Sequence, residues 1–331
     1  QTATQEKIPG SLLRKLAGYA LHINQIHRIA KVIAIAQKSN KDLRPLKPFS
    51  LGIVSNATTS IIVPALVATA ARYGFSLMVH EAPYGQAVQV ALGEVEAFKD
   101  VVMDAILIAI DYKGLPIQSN TPPFGKDADA VNESLDYLNM IRTQLKQKYG
   151  APCIMQTCVH EPESFFGNFD VQVNNTSRQF INIFNSALVN EVAGTEDFLL
   201  DVAAIAETVG LANWHDPVMY HMAKLPFAQK LVPFYAEQVC RIIAAMSGKA
   251  RRALILDLDN TLWGGTIGDD GLGGIELGQG DALGEAYLAV QHTVLKLRQR
   301  GIVLAVCSKN NDATARIPFR EHPDMLLNES H

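Results

Sequence analysis

Over the first forty positions, apolar residues return at helical spacing. Leu13, Leu16, Ala20, Ile23, Ala30 and Ala34 share one face with His27. The spacing predicts one amphipathic helix over 11–37, and Pro45 and Pro48 break the pattern after it. From there, short buried runs alternate with helical stripes. Strands are expected at 51–54, 75–80, 105–110, 152–157 and 198–202, and helices at 60–73, 128–148, 177–191 and 226–246. The stripe Phe180, Ile183, Phe184, Ala187, Leu188 is the clearest of these. Strands separated by helices predict an α/β fold, a parallel sheet with helices on both faces. Ligands of such sheets sit at the carboxyl ends of the strands, here the loops after Val54, Ile110 and Thr157. The small, basic run 247–252 reads as a linker, and a fresh strand begins at Ala253. The expected organisation is a helical segment 1–48, an α/β domain 49–247 and a second domain 248–331.

Length and composition narrow the possibilities. The 331 residues suggest two domains, and 48% hydrophobic against 19% charged residues is enough for a large core. The net charge of −4 offers no broad basic field, so nucleic acid is not an expected partner. No apolar run is long enough to predict a transmembrane helix, and positions 1–10 lack the apolar centre of a signal peptide. No membrane partner is expected. Cys153, Cys158, Cys240 and Cys307 form no C-x-x-C pair and have no zinc-finger spacing. Free thiols in a reducing cytoplasm are the expected state. No phosphate-binding G-x-x-x-x-G-K-[ST] loop is present.

The strongest chemical signal is Leu254-Ile255-Leu256-Asp257-Leu258-Asp259-Asn260-Thr261, a buried strand running into two acids two positions apart. In an extended chain such residues face the same side. Two carboxylates there repel unless a cation offsets them, and Mg2+ takes oxygen ligands and phosphate oxygens together. One carboxylate can then attack phosphorus while the other moves a proton. The bland alternative makes Asp259 or Asn260 a helix cap.

Asp257-Leu258-Asp259-Asn260-Thr261 resembles the first motif of the haloacid dehalogenase (HAD) superfamily. The stretch 256–265, Ile267-Gly268-Asp269-Asp270-Gly271-Leu272, Leu304-Ala305-Val306-Cys307-Ser308-Lys309-Asn310-Asn311 and Pro318-Phe319-Arg320-Glu321-His322-Pro323 are similar to the FkbH-like members of that superfamily. The resemblance implies an enzyme that removes phosphate from 1,3-bisphosphoglycerate and loads the glyceryl unit onto an acyl carrier protein in polyketide-type biosynthesis. It implies Mg2+ as cofactor, with Asp257 as nucleophile and metal ligand and Asp259 as general acid/base and second metal ligand. A phosphorylated small molecule would be the substrate, held by Thr261, Ser308, Lys309 and Asn310. Ser308 could instead cap the following helix. Cys307 is the candidate acyl-carrying thiol, and a buried strand cysteine is its alternative. The glycine-rich stretch 264–274, with Asp269 and Asp270, resembles a mobile flap; an ordinary polar hairpin would read the same.

The later HAD elements, a lysine or arginine and an acidic pair, find no counterpart after Ser308, and Lys309 lies too close to it. An incomplete HAD domain with few protein ligands for Mg2+ is therefore expected. A simple HAD phosphatase and an inactive carrier-protein-binding module are the alternative functions.

Residues 51–246 resemble the SGNH/GDSL-hydrolase-like domain that precedes the HAD domain in FkbH-like proteins. The implied architecture is a three-layer, flavodoxin-like sheet domain followed by a partial HAD Rossmann-like domain. The resemblance also implies a degenerate SGNH site. Ser55-Asn56-Ala57 puts Ala57 where the nucleophilic serine would stand, Asp111-Tyr112 replaces an Asn-Asp pair, and Asp216 falls on the histidine position with His215 one residue early. Ser55 with His215 is a fallback nucleophile–base pair. Alternatively, Ser55, Asn56, Thr58 and Thr59 simply cap the helix expected near Ser60, or the pocket persists and binds a carrier arm or acyl group.

Overall fold

Lys47–Ser55 (β1) is buried over its last seven positions, as expected of a strand covered on both faces. Phe75–Glu81 (β2), Ala105–Ala109 (β3), Cys153–Gln156 (β4) and Phe198–Leu200 (β5) complete a five-stranded sheet in the order β2-β1-β3-β4-β5. Every pairing is parallel. This is the flavodoxin-like order, whose reversal lies between β1 and β3. The structure is a computed structural model that describes residues 10–116, 127–173 and 176–331. It divides into two compact units, Gln1–Gly248 and Lys249–His331.

Strand periodicity sorts side chains into two cores. Leu51 and Ile53 of β1 and Leu107 of β3 join one, while Val54 of β1 and Ile106 and Ile108 of β3 join the other. On the first face pack Gly10–Ala17 (α1), Ile23–Lys38 (α2) and Val63–Arg72 (α3). On the second pack Ala87–Leu92 (α4), Asp127–Tyr149 (α5) and Ser177–Val192 (α6). Val202–Val209 (α7), Leu211–Trp214 (α8) and Pro217–Ala223 (α9) follow β5, and Val232–Met246 (α10) returns to the first face. The first unit is thus the expected three-layer α/β domain.

The single helix expected over 11–37 is in fact two helices. The N–H groups of Gly18 and Tyr19 bond back to Lys15 and Leu16 and close α1, and the His22 N–H donates to Gln25 Oε1 at 2.8 Å to open α2. Periodicity continues across that break, so it hid it. The strand expected at 198–202 stops at Leu200 because the Asp201 carboxylate accepts the Ala204 N–H and caps α7. The helix expected from 226 begins at Val232, behind a 3-10 turn at Gln229–Leu231.

In the second unit, Ala253–Leu256 (β6) and Val303–Val306 (β7) pair in parallel, from Ala253 with Val303 to Leu256 with Val306. Between them lie Ile267–Asp270 (α11) and the crossover helix Ala282–Gln299 (α12), and Asp312–Glu321 (α13) follows β7. Leu258, Leu262 and Trp263 are fully buried at the centre of its core. Buried Gln291 ties the crossover down: its Nε2 donates to Leu262 O at 2.8 Å and its Oε1 accepts the Leu326 N–H at 2.9 Å. The seam of α12 is Gly284, Gln291 and Val294, too polar to stand out in the sequence. Among the described residues, no helix is long and apolar enough to cross a membrane.

Candidate functional site

The chain leaves β6 at Leu256 and enters a tight turn, in which the N–H groups of Thr261 and Leu262 donate to Leu258 O at 3.1 and 2.8 Å. Asn260 takes a left-handed backbone conformation with φ of 54°, one that asparagine tolerates better than most residues. Its Oδ1 accepts the Gly265 N–H at 3.1 Å, so the turn and the glycine-rich stretch hold together.

This turn treats its two acids differently. Asp259 Oδ1 accepts the Trp263 indole N–H and the Ile267 N–H, each at 3.1 Å, and its Oδ2 accepts Asn310 Nδ2 at 2.7 Å. Asp257 is exposed, and among the described residues its Oδ1 accepts only the Leu258 N–H, at 2.8 Å. Asp257 caps no helix, while Asp259 satisfies the first N–H of α11, that of Ile267, from outside the N-cap position, where the Thr266 side chain makes no cap.

Across the sheet, the Cys307 N–H donates to Leu256 O at 2.8 Å, one step past the Leu256–Val306 pair. This continuation of the ladder brings Cys307 alongside Asp257. Cys307 is exposed, so the buried-cysteine alternative fails there, whereas Cys153, Cys158 and Cys240 are buried. Ser308 Oγ accepts the Asn310 N–H at 3.2 Å. It does not cap α13; Asn311 does, through the Ala313 N–H at 3.0 Å. Lys309 is exposed and makes no ion pair among the described residues. Thr261 joins the turn through its backbone. A cavity of about 420 Å³ is lined by Ser308, Asn310, Asp312 and Arg316, but by neither Asp257 nor Asp259.

The stretch 264–274 is no polar hairpin. Gly264 and Glu276 exchange two backbone bonds of 2.9 Å, and the loop they close carries α11. A Cβ at Gly264 would lie 2.7 Å from Glu276 Oε2 and 3.0 Å from Glu276 Cβ and Tyr287 Cε2, so a larger residue there would have to displace those side chains. Asp270 accepts the Thr266 N–H at 2.7 Å, and both Asp269 and Asp270 are exposed.

Among the described residues, no group of three or more His, Cys, Asp or Glu gathers to hold a metal. The donor set still fits Mg2+ of the kind bound by one or two carboxylates, with water and phosphate oxygens completing the shell. Asp257 supplies a hard oxygen with an unused acceptor, and Asp259 keeps room for one further contact.

The first unit has its own polar site at the carboxyl edge of the sheet. Asn56 Nδ2 donates to Asp111 Oδ1 at 2.6 Å, and the Asp111 N–H returns to Asn56 Oδ1 at 3.0 Å. Ser55 Oγ donates to Ala109 O at 2.9 Å and accepts the Ala57 N–H at 2.9 Å. His215 Nε2 is held 2.7 Å from His160 O. Ser55 and His215 line a common cavity of about 40 Å³ but make no hydrogen bond to each other, so the fallback pair is not assembled. Asp216 caps α9 by accepting the Met219 N–H. The capping alternative also fails for Ser55, Asn56, Thr58 and Thr59, because α3 starts at Val63 without a side-chain cap. Thr58 Oγ1 instead donates to Ala223 O and Thr59 Oγ1 to Glu81.

An adjoining cleft of about 290 Å³ is lined by Lys113, Glu161, His215 and Tyr220. The Lys113 ammonium stands 3.6 Å from the Tyr220 ring centroid. Tyr112 donates to Glu161, and burial followed by that carboxylate pushes its phenol pKa up. Neither contact was legible in the sequence. Trp263 could have been: a buried indole usually finds an acceptor for its N–H.

Residues 50–244, more than half of the chain, match the family described as FkbH, N-terminal domain. The chain belongs to that family. The FkbH N-terminal match runs from β1 into α10, and the Asp257–Asp259 turn lies outside it. No curated protein matches the sequence. The structure is similar to the crystal structure of the N-terminal part of the protein BF1531 from Bacteroides fragilis, which contains a phosphatase domain complexed with Mg. The TM-score is 0.80 at 24% identity, over 93% of this chain and 79% of that one. At that identity the likeness establishes the fold. A salicylyl-acyltransferase from a tetracycline biosynthetic pathway matches 62% of this chain and 56% of its own at 16% identity, and its TM-score of 0.35 is too low to bear on this chain.

Proposed function

We propose that the FkbH-family chain is a Mg2+-dependent, HAD-type phosphatase and glyceryltransferase that takes 1,3-bisphosphoglycerate as substrate and an acyl carrier protein as acceptor. The observation that carries this reading is the unequal pair at the end of β6: Asp257 exposed with a free acceptor, Asp259 bonded by three donors, one of them from the loop after β7. In an aspartyl-phosphate route, a free carboxylate can attack phosphorus while an oriented one moves the proton.

Two displacements follow. The Cys307 thiolate adds to the acyl carbon of the acyl phosphate; a C–S bond forms, the C–O bond breaks, and inorganic phosphate leaves with the electron pair. An Asp257 oxygen attacks the remaining phosphate ester; an O–P bond forms, the P–O bond to the glyceryl carbon breaks, and Asp259 passes a proton to the departing oxygen. Water then hydrolyses the aspartyl phosphate, and the carrier's thiol displaces Cys307 from the thioester. Asp257 and Asp259 would hold Mg2+, which supplies positive charge to the phosphate oxygens. Ser308 stands at the strand end where a hydroxyl can donate to a phosphate oxygen.

The test is intact-mass analysis of chain and carrier protein with Mg2+ and a source of 1,3-bisphosphoglycerate. The expected result is a glyceryl adduct on the carrier, absent with Asp257→Asn. Cys307→Ala is expected to abolish loading, together with the phosphate that Cys307 displaces from the acyl position, and to spare the Asp257-dependent release of phosphate from the ester. Loading by Cys307→Ala at the wild-type rate removes the thiol role. Phosphate release without loading leaves a simple phosphatase, and carrier binding without any product leaves a binding module.

A further inference from the structure

The donors on Asp259 come from three segments. Trp263 closes the turn after β6, Ile267 opens α11, and Asn310 belongs to the loop after β7. Two of them are side chains with independent anchors. Trp263 is fully buried, and its ring meets Phe319 of α13 edge-on at 5.9 Å, so its N–H direction is set by the core. Asn310 has its backbone N–H on Ser308 Oγ, which fixes the loop from which its amide reaches across.

We infer that Trp263 and Asn310 are positioning residues: they hold the Asp259 carboxylate in one orientation from opposite oxygens while Asp257 stays open to substrate. This rests on the phosphatase reading above. A carboxylate offers about four acceptor positions. Three are taken on Asp259, which leaves one direction for a proton or a ligand. Without these donors Asp259 could rotate about its side-chain bonds, and its charge would face Asp257 with nothing to offset it. Displacement of a reacting group by about 1 Å costs up to about 100-fold in rate. The Asn310 amide also joins the two strand-end loops through a single carboxylate, so the geometry of the site depends on a contact between segments 51 residues apart.

The chain carries two tryptophans, Trp214 and Trp263, so a 15N-labelled sample gives two indole N–H signals. Asp259→Asn is expected to move the Trp263 signal and leave that of Trp214 in place. The kinetic arm measures phosphate release from p-nitrophenyl phosphate with Mg2+. Asn310→Ala is expected to lower kcat at least about tenfold and change KM by less than about twofold. Asn310→Asp, the same shape without the donor and with a like charge, is expected to fall at least as far. Trp263 sits in the core, so Asn310 carries the kinetic arm. An unmoved Trp263 signal overturns the proposal, as does Asn310→Ala with wild-type kcat or a loss confined to KM. A wild-type chain that releases no phosphate from this ester or from 1,3-bisphosphoglycerate overturns the phosphatase reading and the positioning role with it, while the indole signal still reports the hydrogen bond itself.

Discussion

Asn56 and Asp111 hold each other across the carboxyl ends of β1 and β3 through two hydrogen bonds of 2.6 and 3.0 Å. Asp111 also accepts the Lys113 N–H and so shapes the 3-10 turn Tyr112–Gly114. Gly114 lies directly against the pair: a Cβ there would be 2.6 Å from Asn56 Cγ. Gly114→Ala is therefore expected to destabilise the first unit by about 1–3 kcal/mol, as overpacking does. Urea unfolding measures this. In an Asn56→Ala background the same substitution should cost less, because Cγ and Nδ2 of Asn56 are gone and only its Cβ, 2.8 Å from the added Cβ, remains in the way.

The first unit is not expected to hydrolyse esters. Ser55 Oγ gives its proton to Ala109 O, and His215 is held on His160 O. A nucleophile and its base must share a hydrogen bond. Release of p-nitrophenol from p-nitrophenyl acetate should match that of Ser55→Ala. A rate that disappears in the variant would restore Ser55 as a nucleophile.

Asp197 is a buried charge with three partners. Its side chain is 2% exposed and faces Lys146 Nζ at 3.0 Å and Arg142 Nη1 at 3.7 Å, and it accepts the Cys153 N–H at 2.8 Å. Asp197→Ala leaves the largely buried Arg142 without its anion. A loss of about 3–5 kcal/mol is expected from the urea midpoint. Asp197→Asn retains an acceptor for the Cys153 N–H and should lose less. Equal losses would place the whole effect in the charge.

The layered fold was legible because alternating apolar runs leave few other arrangements. β1, β3 and β4 are runs of buried, mostly apolar residues, as in Leu51–Val54 and Ile106–Ile108, whereas β2 is buried over its first three positions and β5 only at Leu200. What periodicity could not show was where elements stop. The break between α1 and α2 depends on Gly18 and the Gln25 side chain, and the early end of β5 depends on Asp201. The site was legible as a motif and not as an arrangement. Asp257 and Asp259 are two apart in the sequence, yet their different environments come from Trp263, Ile267 and Asn310, and the last of these is distant in sequence. A contact between strand ends becomes visible only once the register of β6 against β7 is known.

Stability should fall on mild acidification, because two histidines are held with a ring nitrogen shut off from water. His80 Nε2 and His160 Nδ1 are buried without a partner among the described residues. Burial lowers the pKa of His80. For His160 burial is the largest cause and the Arg178 guanidinium adds to it, while the Asn182 hydrogen bond and the Glu207 carboxylate oppose it. Both folded pKa values therefore lie below the unfolded value of about 6.5. In the interval between them the unfolded chain binds more protons, so stability rises with pH there. The contribution is complete above about pH 6.5 and is lost as pH falls through the folded pKa. Urea midpoints measured between about pH 7.5 and about pH 5 should decline, and His160→Gln should flatten the decline, since glutamine does not titrate. The His160 carbonyl that receives His215 belongs to the backbone and survives the substitution, so the flattening would report the ring alone. An equally steep decline in the variant would assign the acid sensitivity to His80 or to the carboxylates.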